Sequence, residues 1–196
     1  VGSEMCIRDS TYQGYQLTKL YVMDRDGSNP QLISDGFDRS IASMQWRNDG
    51  RALLFLYDDE GLTKLAQMDL SGRVTDLMNR VGGNSLGRPY TSGSYSQSSN
   101  GTIAFTQDDV SRPADVAVLS RRINVKRLTH LNADVLGHKT LGAVEELWVE
   151  SSHDAQRIQS WIVTPPDFDP GKKYPLILEI HGGPFAAYGP HFSSEV

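Results

Sequence analysis

The chain has 196 residues, 38% of them hydrophobic and 22% charged, and carries a formal net charge of −5 at pH 7. An aromatic content of 9% argues against intrinsic disorder, and the lack of any Lys/Arg block argues against sequence-independent nucleic-acid binding. One cysteine, Cys6, excludes an intrachain disulfide framework and an all-cysteine metal site, and no apolar run approaches the roughly 18 residues of a membrane helix.

Residues 1–10, VGSEMCIRDS, show neither strand alternation nor helical periodicity, and they lack the apolar core of a signal peptide. They read as a leader or a linker scar and stand outside the fold expectation. From residue 11 to residue 140 the chain repeats itself. Leu20-Tyr-Val-Met-Asp-Arg-Asp-Gly27 recurs 45 residues later as Leu65-Ala-Gln-Met-Asp-Leu-Ser-Gly72, and a looser third copy starts at Val116. A partner element alternates with it, Met44–Phe55 resembling Tyr95–Phe105, with Asp49-Gly50 and Asn100-Gly101 as tight-turn dipeptides. Four short strands in about 40–50 residues is the pattern of a β-propeller blade. The expectation is mostly β structure, a partial propeller of about two to three blades, with further blades upstream. The same strand spacing also fits a small β-sandwich.

After Leu141-Gly142 the pattern changes, and residues 141–196 read as the N-terminal part of an α/β-hydrolase domain. Glu146–Ser151 and Arg157–Thr164 alternate as two strands around the polar turn Ser152–Gln156. Pro165-Pro166 and Asp169-Pro170-Gly171 form a rigid loop. Tyr174–Ile180 is a compact, largely apolar strand of the kind buried inside an α/β sheet, and it runs into His181-Gly182-Gly183-Pro184.

Acyl transfer develops negative charge on a carbonyl oxygen, and backbone N–H donors held in advance stabilise it. In α/β-hydrolases one donor comes from the loop after the third strand, in motifs of the HGGG type. Pro184 has no N–H, so the donor falls to a glycine, with Gly183 favoured. The four residues alone fit a plain strand-ending turn with a packed histidine equally well; the strands before them favour the oxyanion loop.

Blades leading into YPLILEIHGGPFAAYGPHFSSE resemble the prolyl oligopeptidase family of serine peptidases, in its acylaminoacyl-peptidase and dipeptidyl-aminopeptidase-like branch. The resemblance spans about residues 15–196 and is most specific over residues 174–190. It implies a propeller capping an α/β-hydrolase domain, short peptides as substrates, and a Ser-Asp-His triad that follows HGGP and so lies beyond Val196. By matching position, Gly183 gives the oxyanion N–H, His181 and Gly182 shape the loop, and Tyr188 lies near the substrate pocket. No cofactor, metal, nucleic acid or membrane is expected, the location is expected to be cytoplasmic, and oligomeric state stays open. The chain alone is expected to be inactive. An esterase-type α/β-hydrolase and a non-catalytic, protein-binding propeller are the alternatives.

Several other features read as structural. Gly83-Asn-Ser85-Leu-Gly87 matches the nucleophile-elbow pattern, but Arg88-Pro89 follows where an elbow needs a helix. Asp24–Gly27 lacks the spacing of a calcium loop, and Asp58–Gly61 reads as a charged hairpin tip. His153-Asp154 sits in a polar turn, and His130, His138 and His191 show no metal-ligand spacing. Ser193 or Ser194 followed by Glu195 reads as a helix start.

Overall fold

A computed structural model of the chain describes residues 4–5, 16–83, 85, 87–120, 124–182 and 185–195. Cys6, Gly183 and Pro184 lie outside the described residues. The first sheet is short and antiparallel, with β1 (Glu4–Met5), β2 (Tyr21–Val22) and β3 (Gln31–Leu32) in that order. Two residues of the leading segment therefore pair with the first copy of the repeat.

Two four-stranded antiparallel meanders follow, each laid down in chain order. The first contains β4 (Ala42–Trp46), β5 (Ala52–Asp59), β6 (Leu62–Asp69) and β7 (Val74–Val81). The second contains β8 (Tyr95–Gln97), β9 (Ile103–Asp109), β10 (Arg112–Leu119) and β11 (Val125–Arg127). The sequence repeat falls on corresponding strands, β2, β6 and β10. Both turn dipeptides reverse their hairpins: the Gly50 N–H donates to the Arg47 carbonyl and that of Gly101 to Ser98, each at 2.8 Å.

Strand β5 shows why these sheets stack as blades. Its apolar run Ala52-Leu-Leu-Phe-Leu-Tyr57 is buried on both faces. Leu53, Phe55 and Tyr57 pack with Leu20, Ile33, Ile41 and Met68 toward the first sheet. Leu54 and Leu56 pack with Leu65, Val81, Ile103 and Phe105 toward the next. A strand squeezed between two sheets shows a continuous apolar run, because both its side-chain sets are covered. Polar groups add to the second boundary. The Tyr95 hydroxyl lies 2.5 Å from the Ser43 carbonyl and 2.9 Å from that of Leu54, and Asn48 Nδ2 donates to the Ser98 carbonyl at 2.6 Å.

A one-turn helix, α1 (Ala133–Leu136), leads to the hairpin of β12 (Val144–Glu150) and β13 (Arg157–Val163), which pair in unbroken register. The expected strand at Tyr174–Ile180 is not formed. The segment carries no ladder hydrogen bonds, and Leu176, Ile177, Leu178 and Ile180 are 80–91% exposed. A parallel-sheet strand gains its stability from neighbours on both edges and cover on both faces, and the described residues offer it neither.

Candidate functional site

Of the expected site residues, the described ones, His181, Gly182 and Tyr188, gather where the chain from residue 185 on crosses the tip of the β5–β6 hairpin and the loop joining β7 to β8. The hairpin tip is a tight turn at Glu60-Gly61, with φ of 49° and 71°. It is more than a solvated charged tip. Asp58 accepts hydrogen bonds from Thr63 Oγ1 and Thr91 Oγ1 at 2.7 and 2.8 Å, and the Glu60 carbonyl accepts from Gln159 Nε2 at 3.2 Å. Gly61 is buried, and a Cβ there would stand 2.9 Å from both the Trp161 ring and the Tyr188 carbonyl oxygen. Gly189 faces it from the crossing segment, where an added Cβ would overlap the Gly61 carbonyl oxygen. Only two glycines let these backbones meet.

Beside this crossing lies a buried hydrogen-bonded pair that the sequence did not announce. His191 Nδ1 is 3.0 Å from both oxygens of Asp108, and its Nε2 is 3.1 Å from the Gly61 carbonyl. The two side chains are 1% and 0% exposed. Both ring nitrogens thus meet acceptors, and the histidine fastens the crossing segment to β9 and to the hairpin tip. A lone histidine with no metal-ligand spacing carries no periodic signal, and its partners lie 83 and 130 residues away.

His181, Gly182 and Tyr188 do come together, and Tyr90 from the β7–β8 loop joins them. Tyr90 and Tyr188 form an antiparallel bridge, flanked by Thr91 N–H to the Ala187 carbonyl (3.0 Å) and Gly189 N–H to the Pro89 carbonyl (2.9 Å). Their rings meet edge-on with centroids 4.7 Å apart, and the His181 ring lies 5.0 Å from that of Tyr188. The Gly182 carbonyl accepts from His181 Nδ1 at 3.1 Å and from the Tyr90 hydroxyl at 3.3 Å. The Trp161 indole donates to the Tyr188 carbonyl at 3.2 Å, tying the β12–β13 hairpin to the same point.

Charge collects on one side of this aromatic group. Arg88 donates to the Tyr188 hydroxyl at 2.9 Å, pairs with Glu179, and reaches Glu195 at 3.2 Å. The Tyr188 hydroxyl in turn donates to Glu179 at 2.9 Å. Desolvation lifts the Tyr188 phenol above its ordinary pKa, the Glu179 hydrogen bond adds to this, and Arg88 opposes it.

Ser85 Oγ donates to the Arg88 carbonyl at 2.8 Å in an irregular loop. Asp24 is taken by Ser28 and Asn29, and His153-Asp154 is exposed in its turn. Among the described residues no group of three or more His, Cys, Asp or Glu could hold a metal ion, and no helix is long and apolar enough to cross a membrane. At the C-terminal end the Glu195 N–H donates to Ser193 Oγ at 3.1 Å, the hydrogen bond of a helix cap, although residues 191–195 form no helix.

No family model matches the chain. Among curated proteins, a probable dipeptidyl-peptidase 5 of Arthroderma benhamiae is 30% identical over 188 residues, covering 90% of this chain and 25% of its own length. The dipeptidyl-peptidase 5 of Porphyromonas gingivalis is 28% identical over 183 residues, covering 87% and 24%. The chain thus spans about a quarter of the length of the curated relatives it matches. Among solved structures, the acylaminoacyl peptidase of Pyrococcus horikoshii superposes with a TM-score of 0.68 at 20% identity, covering 90% of this chain and 25% of its own. An acylaminoacyl peptidase in complex with Z-Gly-Gly-Phe-chloromethyl ketone superposes with a TM-score of 0.70 at 21% identity, with the same coverage. In sequence the chain is thus similar to proteins named dipeptidyl-peptidase 5, and in fold to acylaminoacyl peptidases.

Proposed function

We propose that the chain forms the junction between the propeller and the catalytic domain of a serine peptidase that hydrolyses short peptides. In this reading residues 11–140 are blades and residues 141–196 begin the α/β-hydrolase domain. Tyr174–Ile180 is an inner strand that orders once flanking strands cover it. The Ser-Asp-His triad lies beyond residue 196, and the relatives named dipeptidyl-peptidase 5 favour release of dipeptides.

The observation that carries the reading is the contact of Tyr90 with both Gly182, whose carbonyl accepts from the Tyr90 hydroxyl, and Tyr188, its partner in the antiparallel bridge. Serine attack on the scissile carbonyl drives its electrons onto oxygen, and the Gly183 N–H donates to that oxyanion. Tyr188, beside it, contacts the bound peptide. The nucleophile and its base are supplied by the triad, without which an oxyanion donor gives only small residual catalysis.

The purified 196-residue chain is expected to release no p-nitroaniline from a dipeptidyl p-nitroanilide. The same protein extended through its downstream coding sequence is expected to do so. Hydrolysis by the 196-residue chain that disappears in Ser85→Ala would overturn the proposal, as would an inactive extended protein.

A further inference from the structure

We propose that a cavity beside the β9–β10 hairpin tip is a binding site for a small anion carrying phosphate or carboxylate groups; the inference does not depend on the peptidase reading. The cavity measures about 400 Å³ and lies between that tip, the end of β11 and the loop of residues 130–142. Its volume falls within the range of small-molecule sites. Arg112, Asp115, Arg127, His130, Asn132 and Lys139 line it. Three cationic residues thus gather around one carboxylate, in a chain whose formal net charge is −5. A cationic ligand would meet like charge here, and an anionic one would not.

The acidic groups nearby are already engaged. The Asp115 side chain is 1% exposed, and its Oδ1 accepts from Thr129 Oγ1 at 2.8 Å and from the Leu131 N–H at 3.0 Å. Its Oδ2 has Arg112 Nε at 3.6 Å and Arg127 Nη1 at 3.7 Å. Both distances are too long for hydrogen bonds, so the buried carboxylate draws two guanidiniums together without using the Arg127 donors. Arg112 Nε and Asp115 Oδ2 are themselves buried with no hydrogen-bond partner, which leaves this arginine pair short of bonds. Asp109 is taken by Ser111 Oγ at 2.8 Å and by Arg112 at 2.9 Å.

The donors, by contrast, are free. Among the described residues the side chains of Arg127, His130, Asn132 and Lys139 make no hydrogen bond. They come from β11 and from both sides of α1, so one ligand would tie the last blade strand to the loop that leads into β12. A guanidinium fork matches the paired oxygens of a carboxylate or phosphate, and a lysine adds a point charge beside it.

Calorimetric titration of inorganic phosphate and of succinate tests this, at fixed ionic strength, into the 196-residue chain and into the extended protein. Saturable binding of at least one of them is expected, with a Kd on the order of 1 mM. Arg127→Ala and Lys139→Ala should each weaken it about tenfold, the loss of one charge-assisted contact. Lys139 has no side-chain partner to lose, so its variant should melt as the wild type does. Lys173→Ala removes an equal charge from an exposed position outside the cavity and should leave the Kd within about twofold. Tighter binding of phosphate would support the site and assign it a phosphorylated ligand; tighter binding of succinate would support it and assign a carboxylate. No saturable binding of either anion would overturn the proposal, as would an equal loss in Lys173→Ala, which would reduce the effect to surface charge. Binding by the 196-residue chain but not by the extended protein would overturn it too, because the cavity would then be a contact for the rest of the chain.

Discussion

At the scale of single residues, the His191–Asp108 pair and the Gly61–Gly189 crossing decide how the C-terminal segment sits. His191→Ala would leave a fully buried carboxylate without its partner. Leaving a buried polar group without its hydrogen-bond partner costs about 1–3 kcal/mol, which a thermal or urea melt would register as a loss of stability. Gly189→Ala should also destabilise, because the new methyl group runs into the backbone oxygen of Gly61 and the two chains must separate. Gly36→Ala is the matched control: nothing stands within 4 Å of its Cβ position, so its melting temperature should stay near that of the wild type. Equal effects from the two substitutions would show that the crossing is not tightly packed. His181 and Gly182 could be singled out because HGGP has a chemical reason for its order, and Tyr188 only through the resemblance. Tyr90, Arg88 and His191 were not, since each acts on partners about 80–130 residues away that no local pattern connects.

At the scale of elements, what could be read from the sequence followed from what a strand can satisfy by itself. The turns at Asp49-Gly50 and Asn100-Gly101 are local, and both formed as their dipeptides require. A strand at Tyr174–Ile180 depends on neighbours, and among the described residues none pairs with this apolar run. Strand β5 carries the strongest test of the stacked sheets. Phe55→Ala empties a fully buried site among Phe37, Tyr57 and Met68 and should cost about 3–5 kcal/mol in a denaturant melt. A loss below about 1 kcal/mol would mean that the first sheet does not pack there. The turns also set a pH dependence. Hydrogen bonds from Arg47 hold the Asp49 carboxyl down to about 2, and those from Ser71 and Arg73 hold Asp69 well below the ordinary value of 3.8. A carboxyl whose folded pKa is lowered contributes stability above its unfolded pKa and loses it as pH falls through the folded value. The melting temperature should therefore fall as pH drops from about 4 to about 2, and Asp69→Asn should flatten part of that fall.

At the scale of the whole molecule, the stacked sheets bury two apolar clusters while the segment beyond β13 exposes a run of aliphatic side chains. Leu176, Ile177, Leu178 and Ile180 form an uncovered apolar stretch of the kind that drives self-association. The 196-residue chain should scatter light at concentrations where Leu176→Lys with Leu178→Lys stays monomeric, and the double substitution should leave the melting temperature unchanged. A fall in melting temperature would show that the segment packs onto the blades instead. In the peptidase reading this same run is the strand that carries the glycine loop. The most direct test of that reading is the mapping of a fluorophosphonate adduct by mass spectrometry on the extended protein. The account predicts a single labelled serine beyond residue 196 and no label on residues 1–196. A label on Ser85, or an extended protein that takes no label, would contradict it.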